Sequence, residues 1–406
     1  MLHIYKLFTF LLEPFLGLIL KKRVLAGKED PERFKEKLGE TKITNFSNMI
    51  WFHVASLGEI KSISPIVKYY QKNPNINILI TTVTLSSYNF FKENLETKNT
   101  IHQYAPLDSP RIVKKFIKHW QPKISIFVES EIWPNLIEEA SKQSKLILLN
   151  CRISKNSFAK WKAFKKVFTS LILKFHSVTV QNEETASYLK YFGIENIKNF
   201  GNLKFIKDEN KKPGVLKINS TSQMWAAMSI HYNEVGHIVE AHQKLVSNYG
   251  NIITFLIPRH LNKIQNIKKL ILEKNINVQL VSENPNIGQF NGIVIVDKFG
   301  IADDVFESVK IVFMGGSFIN HGGQNPIEPS RFGCKIFHGK NIFNFTEIYD
   351  LLEKNNISKL TKNPSELASE VDNYLKDNNI RNTQKNLNFS DDVFNKTTNY
   401  LNEYIL

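Results

Sequence analysis

From residue 49 onward, short apolar runs alternate with helix-like stretches. Runs at 49–54, 76–82, 124–128, 146–149 and 177–180 end in small or polar residues, with helix-like segments such as 62–71 and 109–120 between them. Alternating strands and helices predict a parallel α/β sheet. A polar stretch bearing Pro213 and Gly214, residues 207–221, interrupts the pattern and reads as a linker over 209–221. Apolar runs then resume at 224–227, 252–256, 278–281, 293–296 and 311–314. The expectation is α/β with two Rossmann-like domains, residues 24–208 and 222–390, facing a cleft. Ligands in such sheets sit beyond the carboxyl ends of the strands. The tail, 391–406, is helix-compatible and is expected to pack back on the first domain.

Residues 4–20 read IYKLFTFLLEPFLGLIL, apolar and aromatic but interrupted by Lys6, Glu13 and Pro14, and followed by Lys21, Lys22 and Arg23. A span of the hydrocarbon core needs about 20 mostly apolar residues. Segment 1–23 therefore reads either as an anchor or interfacial helix, with the remainder cytoplasmic, or as an apolar helix packed on the first domain. Between Lys142 and Lys174 there are nine basic residues and no acid. Within that stretch Phe158, Trp161, Phe164, Phe168, Leu171 and Phe175 recur at helical spacing, either as a membrane-facing stripe or as core. Arg111, Lys114, Lys115 and Lys118 form a second acid-free run.

These runs belong to a chain of 406 residues with a net charge of +15, which implies an anionic partner. At 42% hydrophobic and 22% charged, the composition excludes wholesale disorder and a polytopic membrane protein. The basic residues form no recognisable nucleic-acid reader motif, so no nucleic-acid partner is expected. Cys151 and Cys334 are too few for a disulfide framework or a four-thiolate zinc site. No histidine spacing suggests zinc, and the pairs Asp303-Asp304 and Asp391-Asp392 read as helix caps, so no metal site is expected.

Three segments carry candidate chemistry. Residues 315–328, GGSFINHGGQNPIE, follow an apolar run and precede a Pro-opened helix. This is a phosphate-binding layout: glycines such as Gly315 and Gly316, with Ser317, permit close backbone approach, and a helix start offers free N–H groups. Glu328 is placed to accept from a ribose diol. Residues 52–59, FHVASLGE, put Glu59 in a first helical turn at the sheet's carboxyl edge. There it reads as a general base or as a helix-end carboxylate. Residues 128–135, VESEIWPN, place Glu129 and Glu131 two apart, where each can move the other's pKa. Asn202–Phe205 ends the first half. Pro258, Arg259 and His260 follow one predicted strand, and Ser229 and His231 follow another; an arginine there suits a phosphate.

Taken in order, WFHVASLGE (51–59), YAPLD (104–108), ESEIWPN (129–135), NCRIS (150–154), GNLKF (201–205), PRH (258–260) and GGSFINHGGQNPIEP (315–329) resemble the Kdo transferases, the 3-deoxy-D-manno-octulosonic acid transferases of lipopolysaccharide synthesis. The resemblance implies a glycosyltransferase-B fold. It implies transfer of Kdo from CMP-Kdo to the glucosamine disaccharide of a lipid A precursor (lipid IV(A)), at the cytoplasmic face of the inner membrane. By the same resemblance Glu59 is the general base, and Glu129 and Lys204 stabilise the transition state. Pro258, Arg259, Phe299, Gly300, Ile301, Asn325, Pro326, Ile327 and Glu328 match CMP-binding segments. The family often has Gly-Glu-Leu where this chain has Gly300-Ile301-Ala302, and Gln324 replaces a common His. No cofactor or metal is implied: Arg259, loop N–H groups and a helix start offset the leaving phosphate, and in-line attack predicts inversion.

Overall fold

The structure, a computed structural model, describes residues 1–41, 47–207, 216–376 and 389–406. It forms two compact units, Met1–Asp208 with Ser390–Leu406, and Glu209–Phe389.

In the first unit, helix α1 (Leu2–Leu25) precedes β1 (Met49–His53), α2 (Leu57–Gln71), β2 (Asn77–Thr82), α3 (Leu85–Asn94), β3 (Thr100–Tyr104) and α4 (Pro110–Trp120). Then come β4 (Ile124–Val128), α5 (Pro134–Ala140), β5 (Lys145–Cys151), α6 (Lys155–Ala163), α7 (Lys165–Ile172), β6 (Ser177–Val180), α8 (Glu183–Tyr191) and β7 (Ile197–Asn199). The strands make one parallel sheet in the order β3-β2-β1-β4-β5-β6-β7. Strand order reverses between β1 and β4, where His53 lies opposite Phe127. That crevice is where such sheets bind ligands.

Helix α4 shows how the sequence makes a layer. Pro110 opens it, where a missing N–H costs nothing. Ile112, Val113, Phe116, Ile117 and Trp120 face inward and are buried, beside Trp51 and Phe127 of the core. Arg111, Lys114, Lys115 and Lys118 take the other side, so that basic run is a helix face. The aromatic stripe at 158–175 is not one helix. The chain breaks at Phe164, between α6 and α7. Phe168, Leu171 and Phe175 are core, and Phe158 and Trp161 pack against it. The stripe therefore holds the unit together.

Helix α1 lies against this unit by its polar side. The Tyr5 hydroxyl donates to Asp108 Oδ2 at 2.8 Å, and Ser109 Oγ to Glu13 Oε2 at 2.5 Å. Lys6 pairs with Glu138, and the Arg111 guanidinium sits 4.4 Å from the Phe10 ring centroid. Lys6 and Glu13, flaws in a bilayer span, are thus docking contacts. The opposite side leaves Ile4, Leu7, Phe8, Leu11, Phe15 and Leu18 exposed.

The second unit contains β8 (Lys217–Ile218), β9 (Gln223–Ile230), α9 (Val235–Val246), β10 (Ile252–Pro258), α10 (Ile264–Leu272), β11 (Val278–Leu280), β12 (Asn286–Ile287) and β13 (Gly292–Ile295). It continues with α11 (Ala302–Ser308), β14 (Ile311–Met314), α12 (Ile327–Ser330), β15 (Lys335–His338), α13 (Thr346–Lys354), β16 (Ser358–Leu360) and α14 (Pro364–Lys376). Its main sheet, parallel throughout, runs β11-β13-β10-β9-β14-β15-β16. Trp225, Phe313 and Phe337 anchor its core.

Of the stretch expected as linker, 209–215 lies outside the described residues. Its later part is not loose chain, because Lys217 and Ile218 pair with β12. The last helix, α15 (Phe389–Ile405), belongs from Ser390 onward to the first unit. There Tyr70 donates to Asn402 Oδ1 at 2.9 Å, and Ser177 bonds Tyr400.

Candidate functional site

The reversal point of the first sheet gathers the three residues expected to be catalytic. After β1 the chain turns into α2, with Ser56 as N-cap. Ser56 Oγ accepts the Glu59 N–H at 3.3 Å and donates to Glu59 Oε1 at 2.8 Å; the Ala55 N–H reaches Glu59 Oε2 at 2.7 Å. Ser-x-x-Glu is the capping-box pattern, here with the carboxylate on the N–H of Ala55, one residue before the N-cap, so the helix-end reading of Glu59 is realised in the structure. The same bonds aim its carboxyl along the sheet's carboxyl edge. Burial is the main force pushing its pKa up, and the charges of Glu131 and Glu129 add to it.

Glu129 directly follows β4, 6% exposed, with a left-handed backbone at φ 58°. Its Oε1 lies 2.7 Å from Lys204 Nζ. Lys204 rides on a single turn, Leu203–Phe205, capped by Asn202. A Cβ on Gly58 would lie 4.0 Å from Lys204 Cε, so the lysine also flanks the start of α2. Asn150, another left-handed residue at φ 56°, accepts the Leu203 N–H at 3.2 Å and ties that turn to β5. Glu131 has partners of its own. It takes a 2.6 Å bond from the Trp133 indole and lies 3.4 Å from His53 Nε2. Burial would raise its pKa, but the hydrogen bond and charge of His53 and the indole bond outweigh it, and the net shift is downward. The YAPLD segment also shapes the fold, since Asp108 caps α5, accepting from Leu136 N at 2.8 Å and Asn135 N at 3.2 Å.

In the second unit the residues expected to hold CMP collect at the carboxyl edge, around the reversal between β9 and β14. Pro258 ends β10 at a register shift, and exposed Arg259 follows, its N–H on the Ile230 carbonyl. Ser229 is left-handed at φ 57°. A Cβ on Gly315 would lie 2.5 Å from the Ser229 carbonyl oxygen, so only glycine fits where β14 passes β9. His231 comes next. Phe299 is 89% exposed. Gly300 turns at φ 81°. Asn325 Oδ1 accepts the Ile327 N–H, and Glu328 is exposed in the first turn of α12.

The structure corrects several of these expectations. Gly315 N–H is spent on the Met228 carbonyl. The N–H groups of Gly316, Ser317 and Phe318 all donate to the carboxylate of Glu234, at 2.6, 3.2 and 2.9 Å. An internal anion therefore fills the expected phosphate cradle. Ser317 is fully buried, its hydroxyl donating to Met314 O and accepting from Gly339 N. Ile301 and Ile327 bury their side chains, so only their backbones can meet a ligand, and Pro326 is likewise buried. Asp303-Asp304 and Asp391-Asp392 lie in first helical turns rather than at N-caps, and Asp304 accepts from Leu216 N. Among the described residues no group of three His, Cys, Asp or Glu is arranged to hold a metal ion.

Residues 32–207 match the sequence model of the 3-deoxy-D-manno-octulosonic-acid transferase (kdotransferase). The chain is 30% identical to the 3-deoxy-D-manno-octulosonic acid transferase of Rickettsia bellii, over all of this chain and 98% of that one. It is also 30% identical to the Haemophilus influenzae enzyme of the same name, over 75% of this chain and 73% of the other. Among solved structures it resembles a glycosyltransferase from Rickettsia africae, with a TM-score of 0.51 and 13% identity over 89% of this chain and 99% of that one. That likeness is one of fold, the glycosyltransferase-B architecture of two parallel α/β units. With the ordered motifs seated at the strand ends of both units, the chain belongs to the 3-deoxy-D-manno-octulosonic acid transferase family of glycosyltransferases.

Proposed function

We propose that this protein transfers Kdo from CMP-Kdo to the glucosamine disaccharide of a lipid A precursor, lipid IV(A), at the cytoplasmic face of the inner membrane. The observation that carries the reading is the convergence of Glu59, Glu129 and Lys204 at the reversal point of the first sheet. Glu59 takes the proton of the acceptor hydroxyl as its oxygen bonds to the anomeric carbon, and the bond from that carbon to the phosphate oxygen breaks. CMP leaves as a phosphate monoester and the anomeric configuration inverts. A carboxyl with a raised pKa suits a base working near neutrality. The Glu129–Lys204 pair is preorganised, which spares reorganisation as charge develops. In the second unit Arg259 faces the phosphate, exposed Phe299 offers a stacking face for the base, and Glu328 accepts from the ribose. Transfer requires no metal in this reading.

The lipid acceptor fits the outer face of α1, a helix long and apolar enough to cross a membrane by length and composition. Docked by its polar side, it is proposed to lie in the interface beside Lys21, Lys22 and Arg23. The test is incubation with detergent-solubilised lipid IV(A) and CMP-Kdo generated in situ, with EDTA added once the donor has formed, read by mass spectrometry of the lipid. A gain of whole Kdo units supports the reading. No gain beside an active control enzyme points to another nucleotide-sugar donor.

A further inference from the structure

Three histidines from three separate segments meet at the carboxyl edge of the second sheet. His231 follows β9, His260 follows β10, and His321 lies on the glycine-rich loop. The His231 and His321 ring centroids are 4.1 Å apart, and those of His231 and His260 are 5.6 Å apart. Gln324 Nε2 lies 3.3 Å from His231 Nε2. Arg259 adds its guanidinium charge from beside His260. His260, His321 and Arg259 are exposed and His231 is half-buried, so a ligand can reach all four.

The cluster is held in place. Asn344 donates to the His321 carbonyl at 3.0 Å, and Tyr349 to that of Gln324 at 3.0 Å. A Cβ on Gly322 would lie 2.3 Å from Asn344 Nδ2, so the loop closes tightly beside His321. Glu234, three residues after His231, is turned away onto the loop N–H groups.

Packing three imidazoles beside a guanidinium disfavours a positive charge on the more buried one. His231 registers that effect: burial first, then His321, His260 and Arg259, pull its pKa down to about 4. A bound anion reverses those charge effects. With the N–H groups of Gly316, Ser317 and Phe318 already on Glu234, these side chains are charged or polar groups that the edge of the sheet offers to a negative group.

We infer that His231, His260 and His321 form an anion subsite that grips a negatively charged group of the donor, either its sugar carboxylate or its phosphate. This deepens the proposed function and rests on its reading of the second unit as the donor-binding one.

The test uses the full chain and its His260→Asn and His321→Asn variants, both changed at exposed positions. KM for CMP-Kdo, kcat and Ki for CMP are measured for each. Each variant is expected to raise the donor KM about tenfold, the value of one hydrogen bond to a charged group, with kcat changed less. A parallel rise in the CMP Ki identifies the phosphate as the bound group; an unchanged CMP Ki identifies the carboxylate. Wild-type KM and Ki in both variants overturn the inference, provided that the wild-type chain transfers Kdo. Absence of transfer by the wild type would instead overturn the donor assignment itself.

Discussion

Glu129 holds a backbone conformation that its residue type disfavours, and replacing it separates strain from chemistry. At φ 58° the residue is left-handed. An L-residue there costs roughly 1–2 kcal/mol. Glycine escapes that cost but loses about 0.5–1 kcal/mol more chain entropy on folding. Glu129→Ala and Glu129→Gly both delete the carboxylate and leave the Lys204 ammonium without it, so those losses cancel in the comparison. What remains favours glycine by about 0.5–1 kcal/mol. For a unit of this size that is roughly 1–4 °C in Tm, readable by scanning calorimetry on the full chain. Lys114, exposed in the interior of α4, supplies the control. There the order must invert, with alanine more stable than glycine by about 1 kcal/mol. Both Glu129 variants are expected to lose transfer. If Glu129→Ala matched or exceeded Glu129→Gly while the Lys114 pair behaved normally, the strain argument would be wrong.

The remaining predictions concern the base, the buried ion pair and α1. Glu59→Gln is expected to cut kcat by about 10²–10⁴-fold with CMP affinity unchanged, and near-normal turnover would refute the base assignment. The active form of Glu59 is the carboxylate, so kcat/KM rises with pH through its raised pKa. Glu131→Gln removes one charge that raises it, so the acid limb of the pH profile is expected to move to lower pH. Lys37 and Glu29 form a buried ion pair that fixes the segment after α1. Arg23 holds the other Glu29 oxygen at 2.7 Å, so Lys37→Met leaves Glu29 partly paired and is expected to cost less than the roughly 3–5 kcal/mol of a fully broken buried pair, read in urea unfolding, while adding Arg23→Ala brings the loss up to that range. Phe8→Glu with Phe15→Glu is expected to abolish cosedimentation with anionic phospholipid vesicles at unchanged Tm, since both side chains face solvent.

Much of the frame is legible because strands buried in a parallel sheet announce themselves as apolar runs. The run at 124–128 is β4 to the residue. Strand β3, Thr100–Tyr104, makes no such run, because its sequence TIHQY mixes polar groups whose partners lie elsewhere in the chain. His102, for example, meets Thr82 and Arg33. Strand β15, Lys335–His338, hides in the same way: Lys335 buries its ammonium on Asn356. In the candidate site, the placement of Glu59 is legible, since a carboxylate opening a helix after a strand has little choice of position. Its Ser56 partner stands where a capping box puts it, at the N-cap before the Glu. The ion pair of Glu129 with Lys204, far apart in sequence, depends on where β4 and the Leu203–Phe205 turn meet, and no local pattern encodes that. The three-histidine cluster is legible in part: His231 and His260 stand after predicted strands and His321 in the glycine-rich segment, but their mutual contact is not encoded locally.

The glycine-rich loop is the instructive failure, because glycine spacing tells what a backbone permits and not what its N–H groups already bind. Glu234 sits 82 residues before Gly316 and is fully buried beneath the loop. Burial raises its pKa, and three backbone N–H groups pull the other way. In that place it does what a phosphate would do, but permanently, and so it shapes the loop that presents His321 and Gln324. Glu234→Ala would leave three buried donors without an acceptor, at about 1–3 kcal/mol each, and is expected to destabilise the second unit by at least about 3 kcal/mol. Inorganic phosphate or sulfate small enough to enter the vacated cradle should restore part of the lost Tm through binding to the folded state alone. If Glu234→Ala unfolded at the wild-type temperature, the three N–H groups would have found other acceptors, and the loop's shape would not depend on this carboxylate.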